Sequence, residues 1–289
     1  METQKLLKKV RRIEIKTRRL SNHLFSGEYH SSFKGRGMAF SEVRRYEYGD
    51  DIRAIDWNVT ARLNEPYIKV FEEERELTLM LIVDLSGSEN FGSKHQLKRE
   101  MITEICATLA FSAIQNNDKV GVIFFSDQVE KFIPPGKGKS HILRIIRELI
   151  EFKPKSNKTN IGEALRFFSA FQKRRAIAFV LSDFMDARYK DALKIAIRKH
   201  DLTGIRIYDP REEELPNLGL LPMKDPESGK VQWVNTSSKK LREQMRRRFK
   251  EYHGYYRESF LRSGAGELSI RIDQSYPAAL LGYFKKRSR

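Results

Sequence analysis

The sequence predicts an α/β fold in which a doubly wound, mostly parallel sheet is covered by helices on both faces. From residue 78 onward, short apolar runs of strand length alternate with segments of helical periodicity. Several of these runs are apolar at successive positions, which is typical of central parallel strands. The alternation is missing before residue 76, so we predict a small amino-terminal subdomain (1–75) and a main domain (76–289).

Six segments are predicted as strands from their apolar and β-branched content. Segment 128–135 is expected to pair antiparallel with 120–125 at an edge of the sheet, because it ends in Pro134 and Pro135, which cannot donate backbone hydrogen bonds. The six predicted strands are 78–84, 120–125, 129–133, 176–182, 204–208 and 268–272.

Helices are predicted where apolar residues recur close to a period of 3.6 residues. The last helix is expected to follow Ser275 as its N-cap, with Pro277 in its first turn. The predicted helices are marked by Leu97 to Ile114, Ile142 to Leu149, Ile161 to Phe168, Leu241 to Tyr256 and Leu280 to Phe284.

Two regions lack this regularity. Residues 209–236 contain four prolines and are predicted as an irregular insertion. In the amino-terminal subdomain a basic helix (5–20) precedes a turn-rich stretch, and we expect Ile55 and Trp57 to pack the subdomain onto the sheet. The alternative is a patch that faces a partner. That patch would comprise Gly49, Asp50, Asp51, Asp56 and Trp57.

The composition predicts an intracellular, cytoplasmic protein. The longest apolar runs fall far short of the roughly 20 residues that a transmembrane helix needs, and the first 20 residues lack the apolar core of a signal peptide. A single cysteine, Cys106, lies in a predicted helix and fits a reducing compartment.

A formal net charge of +17 raises the question of nucleic acid. The basic residues are spread along the chain, with local concentrations at 5–19 and 239–248. Such runs are usually the solvated faces of helices. A nucleic-acid-associated protein that uses both basic helices stays open as an alternative, and it predicts binding that weakens steeply with salt.

Side chains with oxygen ligands gather where predicted strands end. Asp84, Ser86 and Ser88 follow the first strand. Thr159 lies just before a helix, and Asp183 follows the fourth strand. Each residue alone would be explained as a turn or cap residue. If the first and fourth strands are neighbours, however, all five meet in the crevice at the carboxyl edge of the sheet.

This set of residues predicts a site for a hard divalent cation. It contains two carboxylates and three hydroxyls, without nitrogen or sulfur, which suits Mg²⁺, with Mn²⁺ as the alternative. With two formal negative charges around it, the cation would stay electrophilic. We therefore expect it to accept one more carboxylate, from a partner.

The D-x-S-x-S of residues 84–88, followed by Thr159 and then Asp183, resembles the metal-ion-dependent adhesion site of von Willebrand factor A domains. The residue types match at all five positions of that motif. The resemblance implies a von Willebrand factor A-like, Rossmann-type sheet and a Mg²⁺-dependent protein-binding module.

Longer segments resemble the bacterial domain-of-unknown-function family 58, whose members are A-domain-like and typically encoded beside MoxR-type AAA+ ATPases. This implies an adaptor or co-chaperone, with such an ATPase and its protein substrate as partners. Where many members have Gly-Thr-Asp, this chain reads Lys158-Thr159-Asn160, which lowers the negative charge near the site. The segments that carry the resemblance are 33–62, 69–88, 116–127, 132–149 and 174–184.

We expect a non-enzymatic protein, because the sequence shows no catalytic constellation. Gly138-Lys139-Ser140 matches the end of a phosphate-binding P-loop, but Ile133 stands where its first glycine is required. The six histidines fall in no metal-binding or triad spacing. A metal-dependent hydrolase that uses the same oxygen ligands is the remaining enzymatic alternative.

Overall fold

A six-stranded sheet forms the centre of the computed structural model, which describes residues 10–17, 38–73, 77–92, 97–225 and 228–287. Two further sheets of two strands each are also present among the described residues. The strands are β1 (Met38–Arg45), β2 (Tyr67–Glu73), β3 (Thr78–Asp84), β4 (Lys119–Phe125), β5 (Val129–Gly136), β6 (Ile177–Ser182), β7 (Asp201–Tyr208), β8 (Leu220–Lys224), β9 (Val231–Asn235) and β10 (Gly266–Arg271).

The described residues also form helices between these strands. Short 3-10 turns occupy Ile52–Ala54 and Gly87–Asn90. The helices are α1 (10–17), α2 (Trp57–Leu63), α3 (Lys98–Gln115), α4 (Lys139–Glu151), α5 (Ile161–Phe171), α6 (Lys190–Ile197), α7 (Pro210–Glu213), α8 (Lys239–Ser263) and α9 (Tyr276–Arg287).

The central sheet has the order β10-β7-β6-β3-β4-β5. Its neighbouring strands run parallel except for β5, which pairs antiparallel with β4. The predicted doubly wound, mostly parallel α/β class is confirmed, and so are the six predicted strands and the antiparallel edge. β3 lies directly beside β6, with Leu79 paired to Ile177 and Val83 to Leu181. The loops that follow these two strands therefore open at the same edge of the sheet.

Strand β3 shows why helices cover both faces of the sheet. Leu81 and Val83 belong to a core that also contains residues of α3, α4 and α9. Met80 and Ile82 belong to a second core, shared with α5, α6 and α8. All of these strand residues are fully buried. Because alternate side chains of a strand point to opposite faces, a strand buried on both faces has to be apolar at successive positions.

The described part of the predicted basic helix 5–20 is helix α1, which packs on the first of these cores through Val10 and Ile13. Lys16 of α1 pairs with Glu104 of α3 at 2.6 Å. The remaining residues of the predicted helix lie outside the described ones. The predicted domain boundary at residue 75 also lies outside them, so the division into 1–75 and 76–289 stays a prediction.

In the amino-terminal region β1 and β2 form an antiparallel hairpin, and α2 follows Asp56, whose side chain accepts hydrogen bonds from the first turn. Ile55 forms a backbone bridge with Ile68 of β2 and is partly buried. Trp57 is 67% exposed, so the expectation that it packs onto the sheet is wrong. It is the first residue of α2, and this turn presents its ring to solvent.

The prediction that residues 209–236 are irregular needs correction. Pro210 is the first residue of α7, where a proline costs no hydrogen bond, and Asp209 caps that helix. Strands β8 and β9 then form an antiparallel hairpin in which Pro222 stands opposite Trp233. A two-stranded ribbon tolerates proline because many of its N–H groups have no partner strand.

Among the residues that the structure describes, no helix is both long and apolar enough to span a bilayer.

Candidate functional site

Asp84, the last residue of β3, is fully buried and held on both carboxylate oxygens. Its Oδ1 accepts a hydrogen bond from the backbone N–H of Ser86 at 2.9 Å. Its Oδ2 accepts one from the hydroxyl of Ser182, the last residue of β6, at 2.6 Å. The side chain is therefore fixed at the junction of the two central strands.

The two serines of the D-x-S-x-S motif lie next to this carboxylate. The hydroxyl oxygens of Ser86 and Ser88 are 3.1 Å apart. Ser86 is buried and Ser88 is half-buried, and carboxylate oxygens of Asp84 and Asp183 lie within 4.8 Å of each other. Four of the five predicted ligands, Asp84, Ser86, Ser88 and Asp183, thus belong to one connected cluster.

Thr159, the fifth predicted ligand, lies in a loop that is tied to the same edge of the sheet. The backbone N–H of Gly87 donates to the carbonyl of Asn157 at 2.9 Å, and that of Asn160 donates to Ser126 at 2.9 Å. Thr159 itself is half-buried. Within the described part of the chain it makes no hydrogen bond to the other four residues, so the structure brings its loop, but not its hydroxyl, into contact with the cluster.

Glu89 is a cluster residue that the sequence did not point to. It lies in the 3-10 turn directly after the motif and is 1% exposed. Its Oε1 accepts a hydrogen bond from the backbone N–H of Asp183 at 3.0 Å. One carboxylate oxygen from each of Asp84, Glu89 and Asp183 lies within 4.8 Å of the others. A glutamate after a turn usually faces solvent, so only the three-dimensional packing reveals it.

Lys98, the first residue of α3, is a second unexpected member of the cluster. It is fully buried, and its Nζ donates to Oδ2 of Asp183 at 2.9 Å and to Oε1 of Glu212 at 2.7 Å. Glu212 lies on α7, far along the chain. A lysine at the start of a helix is normally solvated, so its sequence position gave no signal of this role.

Burial and charge shift the ionisation of these groups in different directions. Burial, with the negative charge of Asp183, raises the pKa of Asp84 to about 7. Burial likewise raises the pKa of Glu89. For Asp183, burial opposes ionisation, but the charge of Lys98 together with hydrogen bonds, among them those from Lys98 and the Met185 N–H, outweighs it and lowers the pKa. Asp183 and Lys98 therefore form an ion pair, while Asp84 and Glu89 resist ionisation without a further cation.

Arg206 of β7 supports the site from behind. It is buried, and its Nε donates to the backbone carbonyl of Asp183 at 3.0 Å. The guanidinium carbon lies 4.4 Å from the ring centre of Phe249, and the NH1 nitrogen is 2.8 Å from Nδ1 of His253. Because Phe249 and His253 are residues of α8, Arg206 connects that helix to the Asp183 loop.

The donor set fits a hard divalent cation. Carboxylate and hydroxyl oxygens are the ligands that Mg²⁺ and Mn²⁺ prefer. One oxygen of Glu89, Oε2, is buried and has no hydrogen-bond partner among the described residues. The ammonium of Lys98 has no lone pair to offer a metal, and its positive charge offsets only part of the negative charge in the cluster.

Comparison with known proteins gives a family and several relatives. A family model described as protein of unknown function DUF58 matches residues 42–254. The uncharacterized protein Rv1480 of Mycobacterium tuberculosis is 26% identical over 292 residues, which cover 100% of this chain and 92% of that protein. The uncharacterized protein YeaD of Bacillus subtilis is 28% identical over 109 residues, which cover 38% of this chain and 25% of that protein.

Solved structures with a similar fold include BatB from Bacteroides thetaiotaomicron, at 18% identity and a TM-score of 0.45, covering 73% of this chain and 98% of that one. A von Willebrand factor type A protein from Catenulispora acidiphila has 12% identity and a TM-score of 0.37, with 76% of this chain and 43% of that chain covered.

Proposed function

The chain belongs to the DUF58 family, and we propose that it is a non-enzymatic protein-interaction module that engages an acidic residue of a partner through a bound Mg²⁺. Mn²⁺ is the alternative cation. The observation that carries the proposal is the convergence of Asp84, Ser86, Ser88 and Asp183 at the carboxyl edge of the parallel sheet. The proposed metal residues are Asp84, Ser86, Ser88, Thr159 and Asp183.

The residues of the chain have different roles at such a metal site. Bound Mg²⁺ would supply positive charge and coordination positions that an incoming carboxylate can take. Asp84 and Asp183 are buried and fixed by hydrogen bonds, so they supply negative charge at a defined place. Ser88 and Thr159 are half-buried, so a partner could approach the site at these two residues.

For the partner we propose a MoxR-type AAA+ ATPase, with the chain acting as its adaptor toward protein substrates. Support comes from the resemblance of long segments, such as residues 33–62 and 69–88, to proteins encoded beside such ATPases. The half-buried position of Ser88 agrees with a site that is open to a second protein.

Pull-down of a MoxR-type ATPase, with Mg²⁺ and with EDTA, tests this function. We expect retention in Mg²⁺ and loss of most of it in EDTA or with Asp84→Ala. Asp127→Ala is the matched control, because Asp127 also follows a strand but lies outside the cluster. Equal retention in Mg²⁺ and EDTA, or equal loss with Asp127→Ala, would contradict the metal bridge.

A further inference from the structure

We propose that Glu89 is an internal ligand of the cation, so that the chain's own carboxylate holds the coordination position that a partner's acid must take over. This inference rests on the proposed function, because it concerns the same site. It goes further by naming the group with which the partner competes.

The position of the Glu89 side chain carries the proposal. Glu89 is 1% exposed, and its Oε1 accepts a hydrogen bond from the backbone N–H of Asp183 at 3.0 Å. A Glu89 oxygen lies within 4.8 Å of oxygens of both Asp84 and Asp183. Oε2 has no hydrogen-bond partner in the described part of the chain. A buried carboxylate oxygen left without a partner is costly, and a cation in the cluster would remove that cost.

The nearby ammonium does not fulfil this role. The hydrogen bonds of Lys98 go to Asp183 at 2.9 Å and to Glu212 at 2.7 Å. Within the described part of the chain Lys98 thus makes no hydrogen bond to Glu89, although its positive charge also favours ionisation of that carboxylate. Asp84 and Glu89 are left as the two carboxylates of the cluster that no ion pair balances among the described residues.

The pairing of Asp183 with Lys98 determines which uncompensated carboxylates a bound divalent cation would interact with. Asp84 and Glu89 together carry the two negative charges that neutralise it, while Asp183 is balanced by Lys98. With Glu89 among its ligands the cation would lie beside three carboxylates, Asp84, Glu89 and Asp183, and it would attract an external carboxylate less strongly than beside Asp84 and Asp183 alone. The acid of the partner therefore gains a place in the coordination shell by displacing Glu89.

Titration of the full chain with Mn²⁺, followed by the electron paramagnetic resonance signal of the free ion, tests the inference. We expect Glu89→Gln to weaken Mn²⁺ binding about tenfold or more, because ligand charge sets the affinity of such sites. Glutamine keeps an oxygen that can accept the Asp183 N–H. Glu212→Gln is the matched control, because it removes a nearby negative charge that is paired with Lys98. We expect it to change the Mn²⁺ affinity by at most about threefold, as for a group outside the coordination shell.

Asp84→Asn separates the inference from the function on which it rests. Loss of Mn²⁺ binding with Asp84→Asn, together with unchanged binding by Glu89→Gln, would overturn the role of Glu89 and leave the proposed metal site standing. Absence of Mn²⁺ binding by the wild type would overturn the proposed function itself. If Glu89→Gln does not fold, Glu89→Asp, which withdraws the carboxylate by one methylene group, is expected to show the same weakening.

The competition is tested separately at saturating Mn²⁺. We expect Glu89→Gln to retain the MoxR-type ATPase at least as well as the wild type, because the partner's acid no longer has a rival for the position. Retention below the wild-type level, at equal Mn²⁺ occupancy, would contradict the competition between Glu89 and the partner.

Discussion

At the scale of single residues, the site is a cluster of buried charged groups in which the ammonium of Lys98 supplies positive charge. Lys98 and Asp183 are both buried and paired at 2.9 Å. Burial opposes the charge on Lys98, but Asp183, Glu89 and Glu212 outweigh it and raise the pKa of its ammonium. The ammonium therefore stays charged, and it keeps Asp183 ionised at the position where the carboxylate is proposed to face a metal.

Replacement of Lys98 by methionine is expected to reduce the free energy of unfolding by about 3 kcal/mol, measured by urea denaturation in EDTA. Removing one partner of a buried pair leaves the other charge uncompensated. The double variant Lys98→Met with Asp183→Asn is expected to lose less than the sum of the single losses, because the two residues interact directly.

The exposed Lys194 supplies the control for Lys98. It pairs only loosely with Asp191, at 3.8 Å across one helical turn, and Lys194→Met is expected to change the free energy of unfolding by less than about 0.5 kcal/mol. A loss for Lys98→Met as small as that of Lys194→Met would show that the buried ion pair contributes little to stability.

Only some residues of this cluster could be predicted from the sequence. Asp84, Ser86, Ser88 and Asp183 could be predicted because a strand end followed by oxygen side chains is a local pattern. Glu89 and Lys98 could not be, since each has an ordinary position in a turn or at a helix start. Their burial depends on the packing of α3 and α7 around the Asp183 loop, which brings together residues more than 80 positions apart.

At the scale of elements, helix α8 packs closely on β7 at a glycine. A Cβ on Gly204 would lie 2.6 Å from the ring of Phe260 and 3.0 Å from that of Tyr256, two buried residues of α8. The Tyr256 hydroxyl also donates to the carbonyl of Gly204 at 2.8 Å. Since Arg206 of the same strand connects α8 to the Asp183 loop, this contact also fixes the back of the site.

Gly204→Ala is expected to lower the free energy of unfolding by about 2 kcal/mol, because the added methyl group forces apart buried rings. Gly254→Ala is the control in α8, where a new Cβ would meet no atom within 4 Å. That change should raise the free energy of unfolding by about 0.5–1 kcal/mol, since alanine favours the helix. Urea denaturation measures both, and equal effects of the two changes would contradict the close packing at β7.

The strands of the central sheet could be predicted because buried parallel strands such as β3 and β6 are largely apolar, whereas shorter elements could not. Helix α6 has only eight residues, too few for a clear period. The β8–β9 hairpin exposes Leu220, Val231 and Trp233, so its apolar residues do not mark a face that is buried in the main core. Proline content then favoured an irregular prediction, although Pro210 begins a helix.

At the scale of the whole molecule, the two basic helices lie on opposite faces of the central sheet. Helix α1 packs on the core that contains α3 and α4, and α8 packs on the core that contains α5 and α6. Lys239, Lys240 and Arg246 in the first part of α8 are exposed, and part of the basic charge of α1 is paired, as in Lys16 with Glu104. Among the described residues, the basic charges of these two helices therefore do not form one continuous surface.

This separation disfavours the nucleic-acid alternative and predicts weak binding to duplex DNA. At near-physiological salt we expect a Kd of about 10 µM or weaker, within the range of non-specific binding. Fluorescence anisotropy with a labelled duplex measures it, and a variant with Lys239, Lys240 and Arg246 changed to Gln is expected to lose only part of the affinity, because α1 contributes from the other face. A submicromolar Kd that the changes on α8 alone weaken to the non-specific range would instead favour a nucleic-acid function. In that case DNA binding should not depend on the metal cluster, so Asp84→Ala is expected to leave the Kd for DNA unchanged.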